Sequence, residues 1–148
     1  MARKSPTPVR FDGRVAQRLV SFASSRPGLS VSGAANLLVD EALRMIEHPG
    51  IVFRDGPTGR RAGVAGGPDV WELIAAVKQA LAIESELDDE EVLAVVVDNT
   101  GAPLRMVRTA LNYWASHSDD IDAEIAAASL AETNAELAWR NQRDLLAR

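Results

Sequence analysis

The chain has 148 residues, 47% of them apolar, a formal net charge of −5 and no cysteine. That apolar share permits hydrophobic cores in one or two domains, while the absence of thiols excludes disulfides and thiolate metal sites. No apolar run is long enough to span a bilayer and no secretory signal pattern is present, so the reading is a cytoplasmic protein with no membrane partner.

Taken in chain order, the first element is a short extended run, Thr7-Pro8-Val9-Arg10-Phe11. A lone strand leaves its backbone donors and acceptors unsatisfied, and the same segment of a second copy is the nearest remedy, which predicts a homodimer. Asp12 or Gly13 starts a helix with Val15, Leu19, Phe22 and Ala23 on one face, and Pro27-Gly28 ends it. Ser30 and Ser32 are N-cap types, and the helix they open carries Leu37, Leu38, Val39, Ala42, Leu43, Met45 and Ile46 around nearly its whole girth. Such a helix is expected to be buried on every side, which fewer than fifty residues cannot do alone.

Residues 5 to 47 resemble the ribbon-helix-helix family of dimeric DNA-binding proteins, through Val9-Arg10-Phe11, the helix from Asp12, the Arg26-Pro27-Gly28 turn and Leu29-Ser30-Val31-Ser32. The resemblance implies a strand paired across the dimer, two helices, and strand side chains reading the major groove. With Val9 and Phe11 turned inward, Arg10 faces a base or phosphate, flanked by Pro6 and Pro8, which have no side-chain donor to offer. Arg3, Lys4 and Arg14 add positive charge, and the first-turn N–H groups near Ser30, Val31 and Ser32 suit a phosphate. A merely solvated strand face is the alternative for Arg10. The charge distribution bears on the choice: residues 1 to 30 hold Arg3, Lys4, Arg10, Arg14, Arg18 and Arg26 against Asp12 alone, whereas the rest is acidic on balance. A basic head on an acidic body fits one nucleic-acid partner and one protein partner.

His48-Pro49-Gly50 stops the second helix, Ile51 to Arg54 reads as a strand, Asp55 to Gly59 as a turn and Arg60 to Ala65 as a return strand. Helices follow, with stripes Val70, Leu73, Ile74, Val77 and Leu81, then Val92, Leu93, Val95 and Val96, then Val107, Leu111 and Trp114 after Pro103. Residues 48 to 117 resemble the DUF433 family of small domains, common in antitoxin-like bacterial proteins. The resemblance rests on His48-Pro49-Gly50-Ile51, Val70-Trp71 and the helix pair from Asp89-Glu90-Glu91-Val92 to Arg108-Thr109-Ala110-Leu111. Gly59-Arg60-Arg61-Ala62 stands where that family more usually has Gly-Thr-Arg-Ile. A helix, a glycine turn and a helix bearing Arg105 and Arg108 also outlines a helix-turn-helix, a candidate second DNA contact together with Arg60 and Arg61. A packed helix pair with a solvated charged face is the alternative, and the acidic surroundings favour it.

From Ser118, an N-cap type followed by Asp119, Asp120 and Asp122, a last helix runs without proline or glycine. Beyond Leu130 apolar residues thin out, and Trp139, Arg143 and Leu146 share one face. They form either an anchor for a partner's groove or a folded-back cover for the middle domain.

The fold expected is therefore mainly α: a ribbon-helix-helix head over residues 1–47, a hairpin with a helical bundle over 48–117, and a long C-terminal helix over 118–148 as candidate toxin-binding tail. As a whole the chain resembles an antitoxin of a bacterial type II toxin-antitoxin pair. That resemblance implies repression of its own operon through operator DNA and neutralisation of a toxin, often a PIN-like ribonuclease with an acidic, metal-binding site. Arg140 and Arg143 would enter that site, with Trp139 and Leu146 as anchors. A stand-alone ribbon-helix-helix transcription regulator is the alternative. No catalysis, cofactor or metal site is expected: His48 and His117 lie in unrelated sequence contexts, and Gly63 to Gly67 lacks a phosphate-loop ending.

Overall fold

The computed structural model describes residues 5–57 and 59–147. Its elements run α1 (Gly13–Ser24), α2 (Val31–Glu47), β1 (Ile51–Gly56), β2 (Gly59–Val64), α3 (Val70–Ile83), α4 (Asp89–Thr100) and α5 (Leu104–Leu146). The chain divides into two compact units, Met1–Arg44 and Met45–Arg148, with the boundary inside α2. The build is mainly helical with one antiparallel hairpin and a long C-terminal helix, as the sequence predicts. None of the described helices is long and apolar enough to cross a membrane.

In the first unit Asp12 caps α1, its Oδ1 accepting from the N–H groups of Arg14 (3.1 Å) and Val15 (3.0 Å), which satisfies donors that a helix start leaves open. Leu19 and Ala23 of α1 close on Ala34 of α2, with Phe22, Leu29, Ala35 and Leu38 around them. The predicted strand at Thr7–Phe11 has no regular secondary structure. A strand exists by its ladder, and a single chain brings no partner to this segment. The expectation that α2 is buried all round also fails within one chain, where Val39 and Leu43 stay exposed.

The second unit holds the main core. The β1–β2 register pairs Ile51 with Val64, Phe53 with Ala62 and Arg54 with Arg61. Ile51, Ala62 and Val64 are buried against Val70, Leu73, Ile74 and Val77 of α3, Val92, Leu93 and Val96 of α4, and Val107, Ala110, Tyr113 and Ile121 of α5. The opposed Arg54 and Arg61 lie on one sheet face, where like charges repel. Asp69, at the N-terminal end of α3, lies against both: its carboxylate is 3.4 Å from Arg54 Nη2 and 3.2 Å from Arg61 Nε. Arg54 also donates to the carbonyls of Gly67 (3.0 Å) and Pro68 (3.1 Å). A Cβ at Gly63 would collide with the Arg54 guanidinium, so a side chain at 63 would displace that group from the carbonyls it holds.

Two apolar stripes differ from the sequence reading. In α3 it is Ala80 that is buried, while Leu81 is half exposed at the rim of a cleft that Val92, Leu93 and Leu111 also line. In α5 the deeply buried positions are Val107, Ala110 and Tyr113, with Leu111 and Trp114 at the margin. A spacing of three places the rotated set toward the core, and Tyr113 serves as an apolar body despite its hydroxyl. α4 ends at Gly101 in the left-handed region (φ 71°), which closes the turn to α5. The break foreseen near Ser118 occurs one residue earlier, at His117 (φ −136°, ψ 39°), and α5 resumes beyond it. Asp122 then accepts from Lys78 Nζ (2.7 Å) and Trp114 Nε1 (2.9 Å), and these hydrogen bonds lower its pKa.

Arg54→Leu removes a charge that links the hairpin to α3 and leaves its carbonyl acceptors unmatched, with Arg61 alone on Asp69. It should cost about 2–3 kcal/mol in chemical denaturation. Arg108→Ala, which removes an exposed pair with Glu90 (2.8 Å), should cost less than about 0.5 kcal/mol. A pH effect is expected from Glu124 on α5. Burial, aided by Asp69 and Asp120 and opposed by Arg61, pushes its carboxyl up to about 7 from 4.5. Because the folded value is raised, the protonated form favours the fold below the unfolded pKa, and this contribution is lost as pH rises through about 7. Glu124→Gln should therefore raise the melting temperature by about 2–4 °C above pH 7 and give no such gain near pH 4.

Candidate nucleic-acid interface

α2 carries two apolar faces. One, through Ala34 and Leu38, packs on α1. The other follows the i, i+4 row Val31, Ala35, Val39 and Leu43, and Val39 is 52% exposed. Along this second face Pro6, Thr7, Val9 and Phe11 line an open cleft of about 670 Å³ with Val31, Ser32, Ala35, Asn36 and Val39. Val9 is 67% exposed. An apolar row of this length, with Val9 and Phe11 beside it, offers hydrophobic area to a second molecule.

Arg10 lies in the irregular segment before α1 and Arg14 in the first turn of α1, both exposed. Arg3 and Lys4 lie outside the described residues. Ser30 caps α2, its Oγ accepting from the Gly33 N–H (2.9 Å) and its carbonyl from the Ala34 N–H (2.8 Å). The N–H groups of Val31 and Ser32 fall in the first turn, where the helix supplies no backbone acceptor. The side chains of Val31 and Ser32 also line the cleft, a role the sequence reading did not assign them. Arg26 lies over the Phe22 ring at 3.7 Å and donates to the Phe22 carbonyl (3.3 Å), so it stiffens the turn between α1 and α2.

The four arginines read as a second DNA contact are mostly engaged by carboxylates. Arg61 meets Asp69 (3.2 Å), Arg60 meets Asp55 (3.6 Å) and Arg108 meets Glu90 (2.8 Å). Arg105 is exposed near the start of α5. Arginines already neutralised within their own unit attract phosphate weakly, so this surface has little of the character of an anion site.

In the tail, every described residue from Ser129 onward is exposed except at the helix's own contacts, and the folded-back cover considered from sequence does not form. Trp139 is 55% and Leu146 85% exposed. Arg143 lies 4.8 Å from the Trp139 ring centroid, and Arg140 pairs with Glu136 one turn back. Trp139, Arg143 and Leu146 thus stand together on a bare helix face, an arrangement suited to a partner's groove.

Val39→Asp places a charge in the middle of the outward face without touching the α1–α2 contact. On the expectation of a homodimer joined through this face, it should shift the full-length protein toward monomer in sedimentation velocity, while the helical circular dichroism stays unchanged. Comparison of the chain with protein-family models, with curated proteins and with solved structures finds no match.

Proposed function

We propose that the protein is a dimeric DNA-binding antitoxin of the ribbon-helix-helix kind, which represses its own operon and neutralises a toxin through its C-terminal helix. The observation that carries this reading is the second apolar face of α2, which lines one cleft with Val9 and Phe11 of the N-terminal segment. Among the described residues of the first unit, the apolar side chains buried deeply are those of Leu19, Ala23 and Ala34, with Glu41 the one buried charged group. A second copy laid on this face would pair the extended segments and cover Val31, Val39 and Leu43 at once, completing a core that one copy lacks. The paired ribbon would then hold two copies of Arg10 outward for the major groove. The open N–H groups at Val31 and Ser32 would receive phosphates, with Arg14 nearby in sequence to the ribbon.

The exposed tail supports the second half of the proposal. Trp139 and Leu146 supply apolar anchors, and Arg140 and Arg143 supply guanidinium groups for a carboxylate cluster such as the metal site of a PIN-like ribonuclease. Their present partners, Glu136 and the Trp139 ring, lie on the same helix, so the exchange needs only side-chain rotation.

The deciding experiment is co-expression with the product of the adjacent open reading frame, purified through a tag on that neighbour. Retention in a tight complex with relief of growth arrest supports the antitoxin; a neighbour that neither binds nor arrests growth leaves a stand-alone DNA-binding regulator. On operator DNA, Arg10→Ala should weaken binding at least tenfold and flatten the salt dependence by about two units in a dimer, with dimerisation intact. Truncation after Leu130 should leave DNA binding in place and abolish neutralisation.

A further inference from the structure

The sequence reading treats His48 and His117 as unrelated, yet the fold brings them together. Their ring centroids are 5.3 Å apart at an interplanar angle of 73°. Glu47 joins them, and one ligand atom from each of Glu47, His48 and His117 lies within 4.8 Å of the others. All three belong to the second unit. We infer that this cluster is a binding site for a divalent first-row transition cation of the zinc class.

The donor set fits that chemistry. Two imidazole nitrogens and one carboxylate oxygen are a common three-residue ligand set for zinc, with water completing the shell. Calcium and magnesium prefer oxygen donors throughout, so the two imidazoles select against them. Tetrahedral ligation with bonds of about 2.0–2.1 Å places ligand atoms about 3.3 Å apart. Closing the cluster from 4.8 Å to that span asks for a swing of the exposed Glu47 and a small shift of the two partly exposed rings along their aromatic neighbour.

The surroundings hold the two rings in place. Tyr113, fully buried, meets His48 edge-on at 5.2 Å and lies 4.6 Å from His117. Phe53 backs Tyr113 at 6.4 Å. The imidazoles therefore stand against a rigid aromatic wall while Glu47 remains free to swing in. Beside Glu47 and His48 a cleft of about 130 Å³, also lined by Pro49, Thr109 and Asn112, has room for the water ligands.

A second observation points the same way. His117 is itself the residue at which α5 breaks, and no proline or glycine occurs from Leu104 onward to cause the break. Sharp helix breaks usually have such a cause or a group inserted into the ladder. Ser116 and Ser118 permit the break, and it falls where the ring meets His48. A bound cation would tie the C-terminal end of α2 to α5 at that break.

The test uses the full-length protein without a polyhistidine tag, stripped with EDTA and desalted. Titration with Zn²⁺ alone should show about one equivalent per chain at micromolar affinity or tighter, and Co²⁺ should give the visible absorption of a tetrahedral centre. Glu47→Gln and His117→Asn should each weaken Zn²⁺ binding at least tenfold, whereas Glu90→Gln in the acidic run should leave it unchanged. Absence of Zn²⁺ uptake by the parent chain overturns the proposal, as does binding that survives Glu47→Gln or is lost in Glu90→Gln. If His117→Asn fails to fold, Glu47→Gln decides alone, because an exposed side chain can be changed without disturbing the core.

Discussion

The second unit turns on Asp69. The hairpin register sets Arg54 directly opposite Arg61, an arrangement that would push the two strands apart without a counter-charge. Asp69 supplies it, 3.4 and 3.2 Å from the two guanidinium groups, from the first position before α3. Arg54 adds hydrogen bonds to the carbonyls of Gly67 and Pro68, so the loop into α3 is gripped by the strand it follows. This fixes the hairpin on the helical core, and with it Phe53 against Tyr113 and the start of β1 beneath His48. The same concentration of charge reaches α5, where Asp69 helps burial to hold the Glu124 carboxyl near 7.

The first unit is governed by the opposite condition, a shortage of interior. Two helices of 12 and 17 residues meet along one seam only. Water-exposed valines and leucines on the remaining face of α2 are a standing cost, about 25 cal/mol for each Å² of apolar surface that stays uncovered. Covering that face with a second copy is the route the proposed function takes. DNA binding would then follow from dimerisation, because only the paired ribbon aims two Arg10 side chains in one direction. A basic head and a bare, partly basic tail lie at opposite ends of the sequence, with the acidic core unit between them in chain order.

The cluster at Glu47, His48 and His117 shows how a helix end and a helix break can form one site. Glu47 and His48 occupy the last turn of α2 and the residue after it, where the backbone is already leaving the helix. His117 occupies the single non-helical residue of α5. Each is a point at which a side chain can depart from the regular helical direction, and Tyr113 backs both imidazole rings. The three residues are therefore placed by irregularities in otherwise regular elements.

The helices and the hairpin were legible from the chain itself because their signals are local. Asp12, Asp88, whose carboxylate accepts from the Glu91 N–H at the start of α4, and Gly101 mark ends by groups that act within three or four residues, and a short apolar run, a turn-rich segment and a return run mark β1 and β2. The tail was legible as a helix thin in apolar residues beyond Leu130, but the sequence left a bare face and a folded-back cover both open. What the tertiary structure decided is everything that depends on which faces meet. It chose Ala80 over Leu81 and Tyr113 over Trp114 for the core, because a helix with apolar residues on adjoining faces has no local preference between them. It engaged Arg61 with Asp69, which a sequence motif read as a DNA contact. It also brought His48 to His117 across 69 positions, a proximity that no spacing rule anticipates, because it arises only when α5 packs on the hairpin that follows α2.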